Sequence, residues 1–135
     1  MARDGDLRVI FRRNLPGFDL QAIETGGTGR GTPDDNYCHK GYEGWLEHKK
    51  VSGWAVPLRP EQIGWTLRRI RHGGRVWICV RRKDDELWMV WGRWAAELKT
   101  HGLRGLQMTP LDDLWMWNGG PARWDWTRIA QLLTR

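Results

Sequence analysis

Residues 31–50 read GTPDDNYCHKGYEGWLEHKK, and the fold turns on how this stretch is arranged. Two runs, DDNYCHK (34–40) and YEGWLEHKK (42–50), flank Lys40-Gly41 and predict a β-hairpin. Side chains alternate along a strand, so Trp45, Glu47 and Lys49 share one face while Leu46 and His48 share the other. Asp34 opens the adjacent strand, from which its carboxylate can meet that of Glu47 across the hairpin. Two carboxylates plus a backbone carbonyl make a hard oxygen site of the type magnesium prefers, completed by waters and a substrate phosphate. Lys49 lies beside it and can hold an attacking water or stabilise charge in the transition state. In-line attack of an activated water on a phosphodiester is the chemistry this set supports. Charges so placed also serve a plain solvated strand, so the flanking sequence has to decide.

Upstream, DLRVIFRRN (6–14) predicts a short helix with Leu7, Ile10 and Phe11 on one side, stopped by Leu15-Pro16-Gly17. FDLQAIET (18–25) alternates like a strand, with Phe18, Leu20 and Ala22 on one face. GGTGRGTP (26–33) is a glycine-rich loop; it lacks the lysine of a phosphate-binding Walker motif and reads as a loop able to close over the site. Downstream, PEQIGWTLRRIRH (60–72) predicts a helix begun by Pro60, ended by Gly73-Gly74, and buried along Ile63, Leu67 and Ile70. RVWICVRR (75–82) and ELWMVW (86–91) predict two strands across the KDD turn, and RWAAELKTHG (93–102) a helix stopped at Gly102. Residues 103–120 show no readable period, and WDWTRIAQLLTR (124–135) closes as an amphipathic helix with Ile129, Leu132 and Leu133 inward. The order α-β-β-β-α-β-β-α-α predicts a mixed α/β domain with a central sheet.

A chain of 135 residues suits a single domain, 1–135. Its formal net charge of +6 and its many arginines favour a polyanionic partner, nucleic acid rather than membrane. No window approaches the roughly 18 apolar residues of a membrane span, and the N-terminus lacks the apolar run of a signal peptide. These features, with Cys38 and Cys79 far apart and outside any CxxC pair, give the expectation of a cytoplasmic protein with reduced thiols. Cys38, His39 and His48 do not have the spacing of a zinc site.

Pro33-Asp34 followed by Glu47-His48-Lys49 resembles the motif of the PD-(D/E)XK nucleases. The family has a restriction-endonuclease-like α-β-β-β-α-β core with the motif on its second and third strands, the order read above. Many branches place a supporting glutamine early in the next helix, where this chain has Gln62. The spacing looks closest to phage-type, VRR-NUC-like and Holliday-junction-resolvase-like branches, and the resemblance covers about residues 5–92. A tryptophan-rich helical extension, about 93–135, has no counterpart in it.

The resemblance implies a DNA endonuclease using Mg2+ or Mn2+ held by Asp34, Glu47 and the backbone carbonyl of His48, with the His48 ring turned away. Lys49 would stand beside the attacking water and Gln62 would support the site. Family members often add an N-terminal acid. Asp4 and Asp6 stand at the start of the first helix, and Glu24, at the end of the first strand, is the preferred candidate. Arg30, Lys50, Arg68 and Arg69 are candidate contacts to nucleic acid; for the helix arginines a solvated face is the simpler reading. Of 11 tryptophans, Trp91, Trp94, Trp115, Trp117, Trp124 and Trp126 crowd the last third. They either stack on unpaired bases or pack a subdomain or dimer interface, with packing favoured. A homodimer able to cut branched DNA is the corresponding expectation.

Overall fold

The computed structural model describes residues 7–24, 30–106 and 111–135, so Asp4 and Asp6 lie outside the described residues. The hairpin forms as read: β2 (Asp35–His39) pairs antiparallel with β3 (Tyr42–Val51). Lys40 and Gly41, at φ 51° and 84°, make the two-residue turn whose positive dihedrals match the twist of the strands. Around it the chain builds one six-stranded sheet in the order β1-β2-β3-β4-β5-β6, with β1 (Asp19–Ala22), β4 (Val76–Arg82), β5 (Glu86–Trp91) and β6 (Leu114–Trp117). Every neighbouring pair is antiparallel except β3 and β4, which are parallel. Between those two runs helix α2 (Pro60–Arg71), as a parallel pair requires a crossover.

The fold is therefore α/β, a mixed central sheet flanked by four helices. Helices α1 (Leu7–Asn14) and α4 (Trp126–Leu133) cover one face, burying Leu7, Phe11, Ile129 and Leu133 against Tyr37, Leu46, Trp77, Cys79, Leu87 and Met89. Helices α2 and α3 (Ala95–Gly105) cover the other, where Ile78, Val80, Trp88 and Val90 meet Leu98 and Leu103. β4 is buried on both faces from Val76 to Val80, which explains its nearly unbroken apolar run. The α2/α3 core takes no described residue from β1 or β2. That half of the sheet face presents the polar pair Gln21 and Asn36, in register with Trp45, which packs against Trp65 of α2.

Three differences from the sequence reading have physical causes. Residues 103–120 contain a sixth strand, β6; its LWMW has too few residues to show a period, and pairing with β5 supplies its order. The buried line of α2 is Gln62, Trp65 and Thr66, with Ile63 and Ile70 only partly covered. Thr66 and Ile70 pack over Gly92, and Trp65 goes edge-on to Trp45 at 5.1 Å, so neighbours rather than hydropathy set the rotation of the helix. The last third is not only helical, because β6 extends the sheet and α4 seals the core over β2 through Tyr37, whose hydroxyl donates to the Leu133 carbonyl at 2.7 Å.

Gly44 is a glycine because the Tyr37 ring lies across it: a Cβ there would sit 2.4 Å from the ring. Gly44→Ala is expected to cost about 1–3 kcal/mol by overpacking. Gly64→Ala, on the exposed side of α2 with open space around it, should instead gain about 0.4–1 kcal/mol. Urea denaturation of the two variants tests this opposition of sign.

Candidate metal-binding acid pair

Asp34 immediately precedes β2, one step beyond the registered pair Asp35 and Leu46, which sets it opposite Glu47 on the α2 side of the sheet. Its carboxylate Oδ2 accepts the His48 backbone N–H at 2.8 Å, and its charge lies close enough to Glu47 to help raise the pKa of that acid. Glu47 is 4% exposed, under the first turn of α2. Gln62 Nε2 donates to Glu47 Oε2 at 3.3 Å. Lys49 Nζ stands 3.5 Å from the same oxygen and donates to Gln62 Oε1 at 3.4 Å. Four of the predicted site residues thus meet in one network.

Gln62 holds its place through the helix end. It is the third helical residue after Arg59, and its Oε1 accepts the Arg59 N–H at 2.9 Å, satisfying a donor that the first turn leaves open. The same amide can then donate only toward Glu47. The preceding loop is fixed from the other side. Gly31, at φ 84°, packs so closely on α2 that a Cβ would overlap the Glu61 carbonyl. This seats Pro33-Asp34 and the exposed Arg30 beside the helix start.

Burial pushes the Glu47 carboxyl up to about 8; the neighbouring Asp34 carboxylate adds to the rise and the Lys49 ammonium opposes it. A buried acid that keeps its proton beside a second acid is a place where a divalent cation can displace that proton. The donors are carboxylate oxygens, which suit Mg2+ or Mn2+. Among the described residues no group of three or more His, Cys, Asp or Glu side chains is arranged so that it could hold a metal ion, so the acid pair would need the His48 carbonyl, waters or a phosphate to complete a site.

The remaining predicted residues divide. Glu24 is exposed and, among the described residues, has no ion pair or hydrogen bond to the acid pair. Alternation turns Lys50 away from Glu47 and Lys49, and its ammonium is paired with Asp84 at 3.0 Å on an exposed rim. Arg68 and Arg69 lie exposed near the far end of α2, about 10 Å along its axis from Gln62. The Arg69 guanidinium stacks on Trp65 and Trp45, 4.7 and 5.5 Å from their ring centres, on the same side of the sheet as the acids. The His48 ring points to the opposite face, as expected.

Of the six late tryptophans Trp124 is buried, and Trp91, Trp94, Trp115, Trp117 and Trp126 are half-buried against the two cores. The indole N–H of Trp124 donates to the Asp85 carbonyl, that of Trp126 to the Pro121 carbonyl and that of Trp94 to Asp113, each at 2.8 Å. Cys79 is buried, which pushes its thiol up, and Cys38 is half-buried; both are free. A recess of about 480 Å3 between α1, the hairpin turn and α4 is lined by Pro16, Phe18, Tyr42 and Trp126. It lies away from the acid pair and holds no carboxylate. No helix among the described residues is long and apolar enough to cross a membrane.

Two residues of this region escaped the sequence reading. Asp35 is 1% exposed and bonded to His48 on the α1/α4 face, with Arg8 of α1 beside it. The signal was present: an acid one residue after Asp34 and a histidine one residue after Glu47 fall on the same apolar side of the hairpin.

No protein-family model matches the chain, and a search of curated proteins finds no match either.

Proposed function

We propose that this protein is a metal-dependent DNA endonuclease of the PD-(D/E)XK type. The observation that carries the reading is the convergence of Asp34, Glu47, Lys49 and Gln62, from a turn, a strand and a helix, on one hydrogen-bonded cluster. A charged surface strand would leave its acids solvated, whereas here a carboxyl is buried against a second one at the cost of a raised pKa.

A divalent cation held by Asp34 and Glu47, with the His48 carbonyl as a further oxygen, would supply charge neutralisation at the phosphate and a more acidic water. Lys49 carries the positive charge that orients the attacking water and offsets charge developing on the phosphoryl oxygens. Gln62 keeps Glu47 from rotating and holds the Lys49 ammonium within reach. The uncovered polar half of the sheet gives a duplex or branched strand access to the acids, and Arg30 and Arg69 flank that approach as phosphate contacts. The formal charge of +6 favours such a polyanion. A twofold pair of such sites would suit a four-way junction.

The test incubates labelled linear, flap and junction DNA with wild type and Lys49→Met, with Mn2+, Mg2+ or EDTA. Metal-dependent cleavage by wild type, slowed about 100-fold or more in Lys49→Met, is the expected result. Salt-sensitive binding without cleavage in either metal would leave a non-catalytic DNA-binding module. Sedimentation of the protein with and without junction DNA tests the dimer.

A further inference from the structure

Asp34 and Glu47 are each followed by a residue that faces the other side of the sheet, and those two meet behind the site. His48 Nε2 lies 2.9 Å from Asp35 Oδ2, with both side chains at most 1% exposed. Arg8 reaches in from α1, its Nε 3.1 Å from Asp35 Oδ1 and its Nη2 donating to the Asp34 main-chain carbonyl at 3.3 Å. The circuit closes on the near face, where the His48 N–H donates to Asp34 Oδ2 at 2.8 Å. Phe11 holds the His48 ring edge-on at a centroid distance of 5.2 Å. Nδ1 of His48 has no partner among the described residues, so Nε2 is the nitrogen that serves the carboxylate.

Stability alone is a poor account of this group. Desolvating a carboxylate and its partners costs several kcal/mol, and well-packed apolar residues of equal volume serve a core as well or better. The geometry does something an apolar plug cannot. The registered β2–β3 pairing ends at Asp35 and Leu46, so Asp34 stands where the ladder no longer holds the strands together. There the two acids of the near face repel one another whenever both are ionised. Arg8, Asp35 and His48 tie the backbone of Asp34 to that of Glu47's neighbour at this point.

We propose that Arg8, Asp35 and His48 form a positioning clamp that holds Asp34 against Glu47 and thereby sets the affinity of the acid pair for a divalent cation. The inference rests on the metal-binding reading of that pair, not on the identity of the substrate. The partners of a metal's ligands commonly change affinity by 10- to 100-fold when removed.

The experiment measures Mn2+ binding by electron paramagnetic resonance, without DNA, for wild type, Arg8→Met, Arg8→Lys and Asp35→Asn, with a melting curve for each. Arg8→Met and Asp35→Asn should raise the Kd for Mn2+ tenfold or more. Arg8→Lys, which keeps the charge but loses the fork, should recover part of it. A purely structural role would lower the melting temperature and leave the folded protein's Kd unchanged; that result overturns the clamp. Should Asp35→Asn fail to fold, Arg8→Met and Arg8→Lys decide, because the Arg8 side chain is 36% exposed and methionine or lysine still fills the space of its stem. If wild type binds Mn2+ yet cuts none of the DNAs, the nuclease reading falls and the clamp stands or falls on the Kd values. If wild type binds no Mn2+, both fall.

Discussion

Glu47→Gln is expected to reduce cleavage by about a thousandfold, equivalent to about 4 kcal/mol of transition-state stabilisation, while the protein stays folded. Glutamine has the shape of glutamate and fits the same space beneath α2, so the core has no reason to rearrange. What disappears is the carboxyl that can give up its proton to a cation. Asp34 is then the only carboxylate left at the site, and a single exchangeable oxygen pair binds Mg2+ or Mn2+ weakly. Lys49 keeps an amide oxygen within reach but loses the carboxyl, able to ionise, that now stands 3.5 Å from its ammonium. Glu24→Gln is the informative partner: Glu24 is exposed, so its loss should change the rate by less than about twofold, within the small effects usual for surface positions. Single-turnover assays at saturating protein separate the two. Glu47→Gln cutting at the wild-type rate would remove the acid pair from the chemistry. A large loss in Glu24→Gln would bring a third acid into it.

The parts of this molecule that could be read beforehand are those governed by local rules. Alternation placed Glu47 with Lys49 and set His48 against them, and the structure keeps those faces because Leu46 is fully buried among the α1 side chains. Pro60 and Gly73 bounded α2, since one suits a first turn and the other, at φ 88°, a helix end. Gly102, at φ 72°, breaks α3 as its sequence position implied, and does so against the Trp54 carbonyl. What could not be read depends on partners distant in sequence. β6 is four residues long and is a strand only because β5 lies beside it. The face of α2 was read one residue out, because Thr66 owes its burial to Gly92, 26 positions along the chain.

The site divides along the same line. Asp34, Glu47 and Lys49 lie within a hairpin, where register follows from a two-residue turn. Gln62 came from resemblance to a family, and its hydrogen bond to the Arg59 N–H gives it a local physical reason that was legible in the helix start. Lys50, one residue after Lys49, is sent by the same alternation to the other face, where it pairs with Asp84. Asp35 and His48 were legible by alternation, but their meeting with Arg8 was not. An arginine on a short helix and an acid on a strand give no sign of meeting until the helix is laid on the sheet.

The largest effect on stability should come from pH, with a sign set by Glu47. Its carboxyl is held at about 8 in the folded protein against 4.5 in an unfolded chain. Between those values the folded state binds a proton that the unfolded state has released, so stability falls as pH rises. The contribution is full below 4.5 and gone above 8. The slope for one such group is about 1.4 kcal/mol per pH unit, so several kcal/mol are at stake between pH 5 and 8 in EDTA. Urea denaturation at three pH values in this window measures it, and the difference between wild type and Glu47→Gln isolates this residue from every other titrating group. Mn2+ should act in the opposite sense. Binding needs both carboxylates ionised and releases the Glu47 proton, so the gain in melting temperature on adding Mn2+ grows from pH 5 to pH 8. A Glu47 carboxyl that is solvated and apart from Asp34 would give neither trend: apo stability would be flat or rising with pH, and Glu47→Gln would leave it unchanged; burial alone would keep the first trend and lose the second. Because no DNA enters the experiment, the two trends report on whether the fold presses two acids together in readiness for a cation, whatever backbone that cation is used to break.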